Sequence, residues 1–296
     1  MRRTGLDARH KLRDNTMAEQ KWLLDAPKVL DLGPIRRLKV ALVRGQVDIV
    51  GHDEPTTRVE VHSVSGKDLR VTLNGDSLEI DHPQLRWDNF IDVFRSFAGS
   101  ARADVSILVP RDVALKFGVV SSTGLISGLH ADATISTVSG DLVIDDLRGD
   151  VTLNSVSGEL AVRNHTGTIS AHTVSGDVTV SGEVSRMRAD GVSSELFLDI
   201  TGSPDEIKVN TVSGNITARL DGDHAAEYRI STVGGRIQLD DSEITGVRGT
   251  YNGKFGTLEG SWLDFRANTV GGNVAVLHTR AQKPAKPAAR ARAPKA

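Results

Sequence analysis

The chain has no cysteine among its 296 residues. Disulfide staples, zinc–thiolate sites and thiol nucleophiles are therefore excluded. Aromatic side chains are scarce, at 4%, so the core must be built from small and aliphatic groups. Thin layers of that kind suit many short strands better than a bundle of helices. No stretch approaches the roughly 18 consecutive apolar residues that a membrane-spanning helix requires. The start, MRRTGLDARHKLRDNTMAEQKW, has two arginines with no apolar run behind them, unlike a secretory or twin-arginine signal. The expected location is therefore cytoplasmic. Residues 1–16, ahead of Met17, read as a start-site artefact or a disordered leader, and segment 1–28 as partly disordered.

Glycine is plentiful, with 29 residues, and much of it recurs at a fixed interval. A five-residue phrase returns as Val138-Ser139-Gly140-Asp141-Leu142, Val156-Ser157-Gly158-Glu159-Leu160 and Val174-Ser175-Gly176-Asp177-Val178. It continues as Val192-Ser193-Ser194-Glu195-Leu196, Val212-Ser213-Gly214-Asn215-Ile216, Val233-Gly234-Gly235-Arg236-Ile237 and Val270-Gly271-Gly272-Asn273-Val274, with a degenerate copy at Tyr251-Asn252-Gly253-Lys254-Phe255. The third position falls every 18 to 21 residues. Gly140, Gly158, Gly176, Gly214, Gly235, Gly253 and Gly272 are the candidate corner residues. A blurred earlier copy lies at Val64-Ser65-Gly66, and Gly149 and Gly167 mark a half-period nine residues after Gly140 and Gly158.

After each phrase apolar residues alternate: Leu142 and Ile144, Leu160 and Val162, Val178 and Val180. This is the period of a strand with one buried face. Counting back by twos places Gly140 and Val138 on that inward face. The preceding strands have the opposite parity, through Val151, Leu153 and Ser155 or Ile169, Ala171 and Thr173. Two inward faces cannot share one flat strand, so the chain bends or bulges at each phrase. A glycine there lets another coil approach closely. A bend at a fixed place in every 18 to 21 residues, with strands between, predicts an all-β single-chain solenoid whose rungs stack about 4.8 Å apart. A meander or sandwich of hairpins ranks second. Two-residue hairpin turns such as Asn74-Gly75 are scarce.

Residues 29–279 form the predicted domain, opening with an irregular β section over 35–82. Within it, LRWDNFIDVFRSFAGS spaces Trp87, Phe90, Ile91, Phe94 and Phe97 as a helix would. This insertion, residues 85–100, is the candidate partner-binding element, or else a flap packed on the solenoid. Residues 280–296, RAQKPAKPAARARAPKA, carry six basic side chains, no acid and three prolines. That composition predicts a disordered basic tail capable of weak contact with an anionic membrane surface. Without interleaved aromatics it gives no reason to expect specific nucleic-acid binding.

The Val-Ser-Gly-Asp-Leu copies, together with the opening PIRRLKVALVRGQVDIVGHDEPTTRVEV, resemble the bacterial adhesin-like β-strand-repeat family known as toastrack. The similarity spans about residues 30–279. It implies a single-chain stack resembling a β-helix, with some members linked to cell-envelope stress systems.

Chemistry is sparse by comparison. Asp141, Glu159, Asp177 and Glu195 would stack along one edge and offer oxygen ligands to a hard cation. The same column then continues Asn215, Arg236, Lys254 and Asn273, which no cation ladder would choose. Thr137, Ser155, Thr173, Thr211, Thr232 and Thr269 precede the valines, positioned to satisfy bent backbone. Asp145, Asp146, Asp150 and Arg148 crowd as an ordinary turn does. His165 and His172 lack metal-type spacing, and no glycine-rich phosphate loop opens a helix. The sequence therefore points to a non-catalytic scaffold or binding module, with no cofactor and an unidentified protein partner. A carbohydrate-active or glycan-binding solenoid is the alternative.

Overall fold

The computed structural model describes residues 19–83, 101–222, 224–244 and 249–279. Residues 1–16, the aromatic positions Trp87, Phe90, Ile91, Phe94 and Phe97, and the basic segment 280–296 lie outside the described residues.

Every regular element among the described residues is a strand. The N-terminal section holds β1 (Gln20–Leu24), β2 (Lys28–Leu32), β3 (Arg37–His52), β4 (Thr57–Ser65), β5 (Leu69–Asn74), β6 (Ser77–Asp81) and β7 (Arg102–Pro110). The central stack runs through β8 (Ala114–Ser127), β9 (Ala133–Ser139), β10 (Leu142–Asp145), β11 (Arg148–Ser157) and β12 (Leu160–Ser175). It continues with β13 (Val178–Ser193), β14 (Leu196–Ile200), β15 (Glu206–Asn210) and β16 (Ile216–Asp221). The last part comprises β17 (Ala226–Thr232), β18 (Ile237–Leu239), β19 (Ser242–Ile244), β20 (Thr250–Phe255), β21 (Leu263–Thr269) and β22 (Val274–Thr279).

Successive coils pair parallel and like over like, as a solenoid requires. Leu142 pairs with Leu160, Leu160 with Val178 and Val178 with Leu196. On the wall that precedes each phrase, Leu153 pairs with Ile135 and Ala171, and Ala171 with Ala189. The fold is thus a two-walled β-solenoid. Its interior is a column of aliphatic layers: Leu142, Leu160, Val178, Leu196, Ile216, Val274 and Ile237 are all buried in one file. Each such side chain contributes about 1.5–3 kcal/mol on leaving water. No single coil can collect that gain alone, because its neighbours supply the other side of every layer.

The corners explain the glycines. A Cβ on Gly140, Gly158, Gly176, Gly214, Gly235 or Gly272 would lie closer than 3.0 Å to a backbone atom of the neighbouring coil. The neighbour is Ser122 for Gly140, then Gly140, Gly158, Ser194, Gly272 and Gly214 in turn. Backbone stacks on backbone there, with no room for a side chain. Gly140 and Gly158 also sit at φ 133° and 121°, which L side chains rarely adopt.

Four features depart from the sequence-based expectation. First, the valine of the phrase points outward. Val156, Val174 and Val192 are exposed while Ser155 and Thr173 before them are buried. Counting parity back through the glycine assumes an unbroken pleat, and the corner breaks it.

Second, Gly253 is no corner. It lies within β20, which runs antiparallel to β17 with Gly253 opposite Tyr228. Likewise Val64-Ser65-Gly66 ends β4, which is antiparallel to β7. The missing early coils lie elsewhere, at Val43-Arg44-Gly45 in β3 and Val120-Ser121-Ser122 in β8, where Gly45 pairs with Ser122.

Third, coil order departs from chain order. The last coil, β21–β22, is inserted between β15–β16 and β17–β18. Val209 pairs with Ala267 and Ala267 with Ile230, while Ala218 pairs with Val276 and Val276 with Leu239.

Fourth, ordered structure starts before residue 29. β1 pairs antiparallel with β5, and β2 with β4. Leu24 and Leu30 are buried there, which holds these strands to the sheet. Antiparallel strands thus terminate the parallel stack at both ends.

Candidate functional site

The outer surface at the corners consists of columns. Stacking in register places Val138, Val156, Val174 and Val192 one above another, since Ser155 pairs with Thr137 and Thr173, and Thr173 with Gly191. Backbone bonds extend the file: Val212 N donates to Val192 O (3.2 Å), Val270 N to Val212 O (3.1 Å) and Val233 N to Val270 O (3.2 Å). At the other end Val138 follows Val120 and Val43. Those first three are 2–6% exposed and packed with Ala41 and Ala101. The remaining six, from Val156 to Val233, are 41–85% exposed. The result is a straight apolar ridge. Beside it runs a groove of about 520 Å³, bounded by Val138, Val156, Val174 and Val192 on one bank and Ser136, Asn154, His172 and Asp190 on the other.

Across the glycine corner from the ridge lies the carboxylate column. It is a ladder of hydrogen bonds rather than a row of open ligands. Asp141 Oδ1 accepts from Glu159 N (3.0 Å), Asp177 Oδ1 from Glu195 N (3.3 Å), and Glu195 Oε1 from Asn215 Nδ2 (3.2 Å). Asn215 Oδ1 then accepts from Asn273 N (3.0 Å), and Asn273 Oδ1 from Arg236 N (2.9 Å). Among the described residues no group of three or more His, Asp or Glu side chains is placed to hold a metal ion. The hydroxyl column is buried in the bend. Thr232 Oγ1 accepts from Gly235 N (2.9 Å) and donates to Gly272 O (3.1 Å), and Thr269 Oγ1 accepts from Gly272 N (3.0 Å). Thr232 and Thr269 thus satisfy corner backbone, whereas the hydroxyls of Thr137, Ser155 and Thr173 are buried without a hydrogen-bond partner.

Asp145, Asp146, Arg148 and Asp150 do not converge on a cleft. Asp145 accepts from Asn164 (2.8 Å), and Arg148 lies 3.6 Å from Asp146. His165 and His172 do not meet. His165 is buried, and its pKa is depressed chiefly by burial. His172 is exposed, 3.7 Å from Asp190.

One convergent polar cluster has no sequence signal. At the C-terminal end of the stack, His278 points inward with its side chain 6% exposed. Its Nε2 lies 2.6 Å from Tyr228 Oη, and its Nδ1 lies 2.9 Å from Asp240 Oδ2. Phe255 stacks on the imidazole at 3.7 Å between centroids. Burial pushes the Tyr228 phenol above its ordinary range. Both ring nitrogens already have protein partners, so the cluster ties β22, β17, β20 and the β18–β19 turn together. It borders a cavity of about 630 Å³ with Gly222, Asp241, Leu277 and Thr279.

A parallel two-walled stack with glycine corners and outward side-chain columns defines a β-strand-repeat scaffold. Residues 35–277 match the family model described as Toastrack DUF4097, and the chain belongs to that family. Among solved structures it is similar to a "putative adhesin" from Bacteroides fragilis, at 10% identity over 86% of this chain and 99% of that one, with a TM-score of 0.46. It is also similar to a "putative lipid binding protein" from Parabacteroides distasonis (11% identity, 85% and 97% coverage, TM-score 0.46). A third is a "putative cell adhesion protein" from Clostridium sporogenes (12% identity, 86% and 100% coverage, TM-score 0.30). No curated protein matches the chain.

Proposed function

We propose that this protein is a non-catalytic binding scaffold, adhesin-like in the sense that it presents repeated columns of side chains to an extended partner. One observation carries the reading. Along the corner, polar groups on successive coils bond to one another, from Asp141 through Glu159 and from Glu195 through Asn215 to Arg236. Such a surface sets a polar side chain on every coil at one interval and suits an extended ligand, whereas acid–base chemistry needs groups that converge across a cleft. Membership of the toastrack family supports the scaffold reading.

The test is a panel of bacterial glycans and envelope polymers presented to the intact chain, scored for retention and for turnover. Retention of a polymer that is recovered unchanged supports the scaffold. Cleavage of any member, lost on His278→Ala, would replace it with the carbohydrate-active reading.

A further inference from the structure

We propose that the exposed valine ridge is the interface of a twofold homodimer, formed by two copies of this chain with their stacks antiparallel. The inference is independent of the scaffold reading. Six consecutive valines, each 41–85% exposed, occupy one file. At about 4.8 Å per coil the file is roughly 24 Å long. It presents on the order of 500 Å² of apolar surface, the scale of the largest patch on a typical monomer. With the columns on either side, the face measures roughly 30 by 20 Å. Once side-chain relief is counted, that approaches the ~800 Å² each partner gives to a standard interface.

Pitch favours a second copy. A row of branched knobs needs hollows at the same interval, and a second ridge has that interval by construction. A symmetric pair also closes and leaves no further ridge exposed.

Charge selects the orientation. Antiparallel pairing centred on the exposed file sets Val156 against Val233, Val174 against Val270 and Val192 against Val212. The corner ladder then places Glu159 opposite Arg236, Asp177 opposite Asn273 and Glu195 opposite Asn215. The other flank places Asn154 opposite Ser231, His172 opposite Asn268 and Asp190 opposite Asn210. No carboxylate meets a carboxylate in either column. Parallel pairing, which face to face requires a twofold axis along the stack, would set the corner column against the partner's other flank and bring Glu195 opposite Asp190, and like charges in apposition are unfavourable. Val43, Val120 and Val138 are already covered, which limits the face to these six coils.

Sedimentation analysis of the full chain tests the association. The expected result is a dimer that Val192→Thr/Val212→Thr weakens at least tenfold, with strand content and unfolding midpoint retained. Threonine keeps the β-branched shape, so loss of association would not reflect loss of the fold. Orientation is tested by mixing chains carrying Ser157→Cys with chains carrying Gly234→Cys and adding a short bismaleimide. The parent has no thiol, so covalent pairs should form between the two kinds of chain and not within either kind. A chain that stays monomeric overturns the proposal. If a Val192→Cys thiol is then shielded from labelling, the ridge is covered by its own chain; if the monomer floats with liposomes and the Val192→Thr/Val212→Thr chain does not, the ridge meets a bilayer. Covalent pairs of Ser157→Cys chains with themselves would overturn the antiparallel arrangement.

Discussion

Gly158 shows how little freedom a corner residue has. Its φ of 121° disfavours any L side chain, and the Gly140 backbone occupies the space a Cβ would need. Gly158→Val should therefore cost about 3 kcal/mol or more, the combined effect of strain and overpacking, seen as a lower urea midpoint. Gly33→Ala is the control: nothing lies within 4 Å of its added Cβ, and the change should stay within about 0.5 kcal/mol. His82 provides a second residue-scale test. It is 0% exposed, and its Nδ1 accepts from Val43 N at 3.3 Å. Burial, opposed by Asp81, lowers its pKa from 6.5 to about 4. Between those values the unfolded chain binds the proton and the folded chain does not. Stability is therefore full above pH 6.5 and falls as pH drops towards 4, by about 3 kcal/mol in all. Urea titrations at pH 7 and 4.5 should show a smaller loss for His82→Asn, which keeps an acceptor for Val43 N and cannot titrate.

At the scale of elements, the tie at the C-terminal end is the feature to dissect. Tyr228→Phe leaves an imidazole nitrogen unpaired, and His278→Leu leaves the phenol unpaired. Each should cost about 1–3 kcal/mol. The double variant should recover much of the sum, because a leucine side chain at that position of β22 would continue the buried file of Ile200 and Leu220. A double-mutant cycle on unfolding free energies reads the coupling directly. The strands themselves are legible in the sequence, since Leu142/Ile144 and Leu160/Val162 alternate visibly and recur on period. The tie is not. Tyr228 and Asp240 are each far in sequence from His278, by 50 and 38 residues, and they meet only because β22 lies beside β18 and one coil from β17. The outward valines are hidden for a different reason: a strand reading carries its parity through Gly140, where the backbone has turned a corner. Val43-Arg44-Gly45 and Val120-Ser121-Ser122 carry the phrase with substitutions at its polar and glycine positions, and so read as ordinary strand.

For the molecule as a whole, order along the stack is the part that composition and period leave open. Every coil presents the same corner and the same inward file, so β21–β22 would fit above any of them. Cysteine pairs test the observed order in a chain without competing thiols. Asn210→Cys with Asn268→Cys should oxidise to an intramolecular disulfide, because these residues are neighbours across β15 and β21 and Asn268 Nδ2 donates to Asn210 Oδ1 at 2.9 Å. Asn210→Cys with Ser231→Cys should not, because two coils at about 4.8 Å each exceed the ~7 Å limit for bridging Cα atoms. Peptide mapping of the oxidised proteins distinguishes the outcomes, and the reverse result would restore a sequential stack.

The displaced position of the final coil also governs how the molecule is completed during synthesis. A chain growing from its N-terminus can wind each turn onto the one before until Asp221 has emerged. The next turn to appear, 226–239, must then wait, or settle provisionally, until 263–279 has left the ribosome to take its place beneath it. The finished top of this protein is therefore assembled only once residues 263–279 have emerged, and a nascent chain halted before residue 263 would lack the turn on which 226–239 finally rests.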